Sequence, residues 1–206
     1  MSSFLWVGIE FFGFVLQALP KMSAKDNLKK MLLEKSVRTG DFTLASGKKS
    51  DLYVDCRLTA LDNQGASWIG EVGWGLVKER IEGESLVVNA IGGMTMGADP
   101  ISLVVGMASA GDEKSLQIFN IRKEPKGHGR GKQIEGNFNK GDKVVVVDDV
   151  ITTGGSTLKA IEAIRAAGGE VVFCLVLVDR EEGGRAAIES EGIPVVSIFT
   201  RTELLG

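Results

Sequence analysis

Two neighbouring acids followed by a run of hydroxyls and glycines are the residues of this chain best suited to chemistry. They lie in Val144-Val-Val-Val-Asp-Asp-Val-Ile-Thr-Thr-Gly-Gly-Ser156. The β-branched run from Val144 to Val147 reads as a strand buried on both faces of a parallel sheet. It delivers Asp148 and Asp149 to the carboxyl edge of that sheet. The chain then turns through Thr152, Thr153, Gly154, Gly155 and Ser156 into a helix. Successive backbone N–H groups in such a turn, with a helix dipole behind them, form a phosphate cradle, and glycine lets the backbone close on the anion. Two acids beside a phosphate cradle suit recognition of a sugar diol, or of Mg²⁺ held through water. The segment is not a Walker A loop, since it has no Gly-Lys-Ser/Thr ending, and it does not match GxGxxG.

A second chemical signal is Arg122-Lys-Glu-Pro-Lys-Gly-His-Gly-Arg-Gly-Lys132, with five cationic side chains, one acid and glycine at every second position from 127 to 131. A loop of this kind suits an enzyme that must cover a polyphosphate, react and reopen. Lys126 and His128 are candidates to neutralise a departing anionic group, and His128 to give it a proton.

Composition narrows the alternatives. The net charge is −3 and the isoelectric point about 5.4, so nothing draws the whole chain toward nucleic acid or an anionic membrane. Any polyanion must be held by a local basic cluster. One histidine excludes a multi-histidine metal site, and Cys56 and Cys174 form no CxxC pair. A length of 206 residues suits one domain.

These groups need a frame, and strand and helix patterns alternate along the chain from Met22. Ser23 and Asp26 form a capping-box start ahead of Leu28, Met31 and Leu32 at helical spacing. Strands are expected over 52–56, 86–91, 115–121, 144–147, 171–178 and 195–199. Helices are expected over 64–81, 99–110 (Asp99 as N-cap, Pro100 at the first position), 156–167 and 185–191. The alternation implies an α/β fold with a doubly wound, mostly parallel sheet, whose ligands sit at the carboxyl ends of the strands.

The thirteen-residue acid and glycine segment resembles the phosphoribosyl pyrophosphate (PRPP) signature of the type I phosphoribosyltransferases. The resemblance implies that Asp148 and Asp149 contact the ribose hydroxyls, that Thr152 to Ser156 hold the 5′-phosphate, and that Val150 and Ile151 also contact PRPP. Arg-Lys-Glu-x-Lys-x-His-Gly is similar to the catalytic lid of the orotate branch of that family, which implies PRPP contacts for Arg122, Lys123, Lys126 and His128. Phe42-Thr-Leu-Ala-Ser-Gly-Lys-Lys-Ser50, leading to Tyr53 and Asp55, looks like the small amino-terminal hood over the base. Asp179-Arg-Glu-Glu-Gly-Gly-Arg185 looks like the motif whose first arginine grips orotate, here Arg180, with Thr152 also on the base. The implied reaction is transfer of the phosphoribosyl group from PRPP to orotate, giving orotidine 5′-monophosphate and pyrophosphate in pyrimidine biosynthesis. Lys126, His128, Asp148 and Asp149 are the catalytic set. Mg²⁺ arrives with PRPP rather than on direct protein ligands. The family further implies a cytoplasmic homodimer in which each flexible lid serves the neighbouring site, with no nucleic-acid or membrane partner. Ala45 and Met96 stand where many members carry lysine, a gap that Lys48, Lys49 or backbone N–H groups over 92–97 are expected to fill. The alternatives are a PRPP-binding regulator on the same fold, which would need no lid, and an enzyme for another base.

Residues 1–21 fall outside this resemblance. The stretch from Phe4 to Leu19 is mostly apolar but short for a membrane span, and it has no basic segment ahead of it. It reads as an upstream leader before a natural start at Met22, a membrane-surface anchor, or an extra packing helix. The phosphoribosyltransferase domain is expected over 22–206.

Overall fold

The computed structural model describes residues 22–43, 49–124 and 132–206. Helix α1 (Ala24–Met31) starts at the expected capping box, with Ser23 Oγ accepting from the Asp26 N–H and the Asp26 carboxylate accepting from that of Ser23. One π-helical turn (Leu32–Ser36) leads into an antiparallel pair, β1 (Val37–Thr43) and β2 (Lys49–Val54). A short α2 (Arg57–Ala60) and the long α3 (Asn63–Gly83) follow. Then come β3 (Ala90–Met94), α4 (Ala98–Ala108), β4 (Gln117–Ile121) and β5 (Ile134–Gly136). The chain ends with β6 (Lys143–Ile151), α5 (Gly155–Ala166), β7 (Glu170–Asp179), α6 (Gly184–Glu189), β8 (Val195–Thr200) and α7 (Arg201–Leu205).

The main sheet has the order β5-β4-β3-β6-β7-β8, with only β5 antiparallel to its neighbour. Successive residues of a strand face opposite sides of the sheet, and β6 and β7 separate two cores on that period. Val145, Val147, Leu175 and Leu177 pack with Ile69, Val77, Ile101 and Val105 of α3 and α4. Val144, Val146, Cys174 and Val176 pack with Ile161, Ile164 and Ile188 of α5 and α6. The doubly wound architecture therefore follows from apolar runs that must cover both faces. Cys56 and Cys174 are both free and fully buried, and burial raises their thiol pKa values well above normal.

Several boundaries differ from the sequence reading. The third strand runs over 90–94 instead of 86–91, so Gly92 and Gly93 belong to it rather than to a turn. A Cβ at Gly93 would lie 2.0 Å from the Val147 carbonyl oxygen and 2.6 Å from the Ala98 Cβ, so only glycine lets β3 lie this close to β6 and α4. The cap of α4 is Gly97, not Asp99, because the Asp99 carboxylate instead accepts from Thr95 Oγ1 at 2.9 Å. Strands β1 and β5 and the short α7 carry too little periodicity to be legible in sequence.

Two glycine substitutions separate these roles. Gly75 lies exposed inside α3, with nothing near an added Cβ. Gly75→Ala should stabilise the fold by about 0.5–1 kcal/mol. Gly93→Ala should cost about 1–3 kcal/mol or more through overpacking. Urea unfolding of the two variants checks both signs.

Candidate functional site

The connections of β3 and β6 leave in opposite directions. Strand β3 leads through α4 to β4 on one side, and β6 leads through α5 to β7 on the other. A crevice opens at the carboxyl ends of strands that part in this way. Pairing of β6 with β3 ends at Gly93 and Val147, whereas pairing with β7 continues to Ile151 and Asp179. Asp148 and Asp149 are thus held by strand geometry on one side while the other side has opened.

Asp148 is 6% exposed. Its Oδ2 accepts from Thr157 Oγ1 at 2.6 Å and its Oδ1 from the Asp149 N–H at 3.0 Å. Burial pushes its pKa up to about 7, against the Thr157 hydrogen bond and with help from the Asp149 charge. Burial raises Asp149 as well, opposed by the Val150 N–H. The Asp149 carboxylate lies against Gly97, where a Cβ would come within 2.3 Å of its Oδ1.

Two contiguous cavities meet at this pair. One, of about 300 Å³, is the expected cradle, formed around Asp148 by Val150, Ile151, Thr152, Thr153, Gly154, Gly155 and Ser156. Gly154 is left-handed (φ +80°) and no side chain caps the start of α5, which leaves the first helical N–H groups for an anion. The Gly184 N–H donates to the Thr152 carbonyl at 2.9 Å and braces the loop. The other cavity, of about 350 Å³, runs from the acid pair and Thr152 to Tyr53, the 94–97 segment and Arg180. A groove of about 390 Å³ between Phe138 and α5 holds no acid and shares no wall with Asp148.

Arg180 follows β7, anchored by its N–H on the Ile151 carbonyl at 3.0 Å. Its side chain is only 6% exposed. Nη2 pairs with Glu182 Oε1 at 2.6 Å and donates to Ser50 Oγ at 2.8 Å, so the β1–β2 pair reaches this arginine. Its Nε is buried with no partner among the described residues.

The other site candidates separate. Lys123 lines the larger cavity. Arg122 instead turns toward β5, with Nη1 3.9 Å from Glu135 Oε1. Lys126, His128, Ala45 and Lys48 lie outside the described residues. Lys49 opens β2 and does not line the cavity, whereas Met96 does and is 61% exposed. Arg57 is a wall residue that sequence reasoning missed. Its Nε and Nη2 each lie 2.8 Å from Asp55, on Oδ1 and Oδ2 respectively. A lone Asp-x-Arg after a strand was the only signal.

Residues 112–196 match the phosphoribosyl transferase domain family. The chain is 44% identical to the orotate phosphoribosyltransferase of Aquifex aeolicus (strain VF5) over 187 residues, covering 89% of this chain and 99% of the relative. The chain belongs to the orotate phosphoribosyltransferase family. Among solved family structures, the Mycobacterium tuberculosis H37Rv enzyme in complex with Fe(III) dicitrate superposes with a TM-score of 0.74 at 34% identity, over 89% of this chain and 100% of that one. The same enzyme in complex with PRPP gives a TM-score of 0.71 at 30% identity, over 88% and 99%. The type I phosphoribosyltransferase fold expected from the sequence is the one observed.

The orotate phosphoribosyltransferase acid pair carries a stability cost that depends on pH. An aspartate whose pKa is raised in the folded protein keeps its proton where the unfolded chain has lost it. Its ionisation therefore lowers stability as pH rises from about 4, the unfolded value, toward the folded value of about 7, and the full penalty applies above that. Asp148→Asn should gain stability relative to the parent protein between pH 4.5 and pH 8. Urea midpoints at the two pH values measure it, and an equal difference at both would mean that Asp148 titrates normally.

Proposed function

We infer that the protein transfers the 5-phosphoribosyl group of PRPP to N1 of orotate, giving orotidine 5′-monophosphate and pyrophosphate. The observation that carries this reading is a pair of contiguous cavities that share Asp148, one walled by the glycine-turn cradle and the other by Asp149 and by Arg180, whose Nε has no partner among the described residues. Family membership supports it, as does a relative solved with PRPP.

Each wall has a task. The cradle over 152–156 holds the 5′-phosphate on backbone N–H groups and hydroxyls. Asp148 and Asp149 accept hydrogen bonds from the ribose hydroxyls, and Thr157 keeps the first carboxylate turned. Arg180 binds the orotate carboxylate through its guanidinium, with Thr152 beside the base. N1 attacks C1 of the ribose as the bond to pyrophosphate breaks, and C1 passes through oxocarbenium character. Catalysis is chiefly positioning and stabilisation of the leaving group, so no covalent nucleophile is needed. Lys126 and His128 of the basic segment act on that leaving group, His128 by giving it a proton.

Among the described residues no group of three or more His, Cys, Asp and Glu gathers around a metal position. The hard oxygens of the acid pair fit Mg²⁺ that enters with PRPP and is held through water. Bound there, the ion supplies neutralising charge to the pyrophosphate.

Association into a homodimer with shared sites is part of this reading. Leu58, Leu61, Leu103 and Met107 are exposed on α4 and on or just after α2. An apolar surface of this kind suits burial against a second copy. A cytoplasmic location fits the reaction, and no described helix is long and apolar enough to cross a membrane.

Arg180→Ala should raise the orotate KM strongly and leave PRPP binding near normal, by about 2–5 kcal/mol for a buried charge-assisted pair. Steady-state rates followed by orotate absorbance, with adenine, hypoxanthine and uracil as controls, test both the assignment and the acceptor.

The shared site is tested by complementation. Lys126→Ala and Asp149→Ala should each be nearly inactive alone. In a mixed dimer both lesions fall in one site and the other is intact. Random exchange of an equal mixture should therefore restore roughly a quarter of parental activity. No recovery in a mixture shown by mass spectrometry to contain mixed dimers would mean that each lid closes over its own site.

A further inference from the structure

We propose that Arg57 is the guanidinium that holds the pyrophosphate of PRPP, with Asp55 fixing its plane. The proposal rests on the reaction inferred above and adds a held guanidinium to the lysine and histidine already assigned to the leaving group. The cradle takes the 5′-phosphate, the acid pair the ribose and Arg180 the base. What remains of the larger cavity is the 94–97 segment, Tyr53 to Asp55, Lys123 and Arg57.

Pyrophosphate needs positive charge and several directed donors. Among the described residues, the cationic side chains that line this cavity are Arg57, Lys123 and Arg180. Arg180 is already engaged with Glu182 and Ser50. Met96, also on this cavity, brings no charge. Arg57 stands on the same cavity and feels Asp149, since each raises the preference of the other for its charged form.

The geometry of Arg57 favours an anion. Asp55 accepts from Nε and Nη2 at 2.8 Å each, and from the Arg57 backbone N–H at 3.2 Å. A guanidinium carries five N–H donors in one plane. Side-on pairing uses two, so one hydrogen on Nη1 and one on Nη2 remain on the adjacent end of the plane. The side chain is 50% exposed and lines the cavity. A planar fork held from behind by a carboxylate loses little freedom when it grips two phosphate oxygens. Pairing with Asp55 also keeps the group charged.

The test uses the full chain and magnesium pyrophosphate as the calorimetric ligand. Arg57→Gln should weaken pyrophosphate binding roughly tenfold or more, as expected for losing hydrogen bonds to a charged group, and should raise the PRPP KM while the orotate KM stays put. Arg57→Lys keeps the charge but not the fork and should lose several-fold; it serves also if the glutamine variant fails to fold. Adding Met96→Lys to Arg57→Gln should restore part of the affinity, because it returns a cation to the same wall. A folded Arg57 variant with unchanged pyrophosphate affinity, beside a parent protein that turns over orotate, would overturn the assignment and leave the reaction intact. A parent protein that binds neither PRPP nor pyrophosphate would overturn both.

Discussion

Two adjacent carboxylates sit at the end of β6, past the point where β3 has stopped pairing with it and before β7 has. This arrangement puts charge in a place where water is scarce, and burial lifts both pKa values. Removing an ionised carboxylate from water is unfavourable unless directed donors replace the solvent. Thr157 Oγ1 and the Asp149 N–H supply part of that replacement to Asp148. The pair also lines the larger cavity, where further donors can reach it.

The surrounding loops are built to hold that pair still. Gly97 and Gly184 are small where a side chain would collide with the Asp149 carboxylate or with the cradle backbone. The cradle is braced through the Gly184 N–H and the Thr152 carbonyl, so the segment that follows Arg180 also supports the 152–156 loop. Glu182 and Ser50 hold Arg180 in place.

Among the described residues the 94–97 wall of the cavity carries no cation, since Met96 stands where the resemblance implies a lysine. Arg57 offers a different solution, a cation held by an aspartate two residues earlier rather than a free lysine on the 94–97 segment. A paired arginine places directed donors, whereas a lysine supplies a compact charge on a flexible stem. The same leaving group can thus be held by donors from another element without change to the fold.

The amino-acid sequence by itself determined the α/β class, the capping box of α1, the buried runs of β6 and β7, and the cradle that follows Asp149. Each depends on local chemistry: apolar period, cap residues, or hydroxyls and glycines next to acids. Arg180 was legible for the same reason, at the end of an apolar strand. Tertiary structure alone decided which strand stops first beside β6, and hence that the acids open onto a crevice. It also decided that Gly92 and Gly93 continue a strand, since their place depends on how closely β4 and β6 approach. The same holds for Arg122, which pairs across to Glu135, and for Arg57, which meets the site through the Asp55 pairing and the packing of α2 against α4. Sequence spacing encodes what neighbours along the chain do to one another, but the facing of side chains from distant elements is settled only when the sheet has assembled.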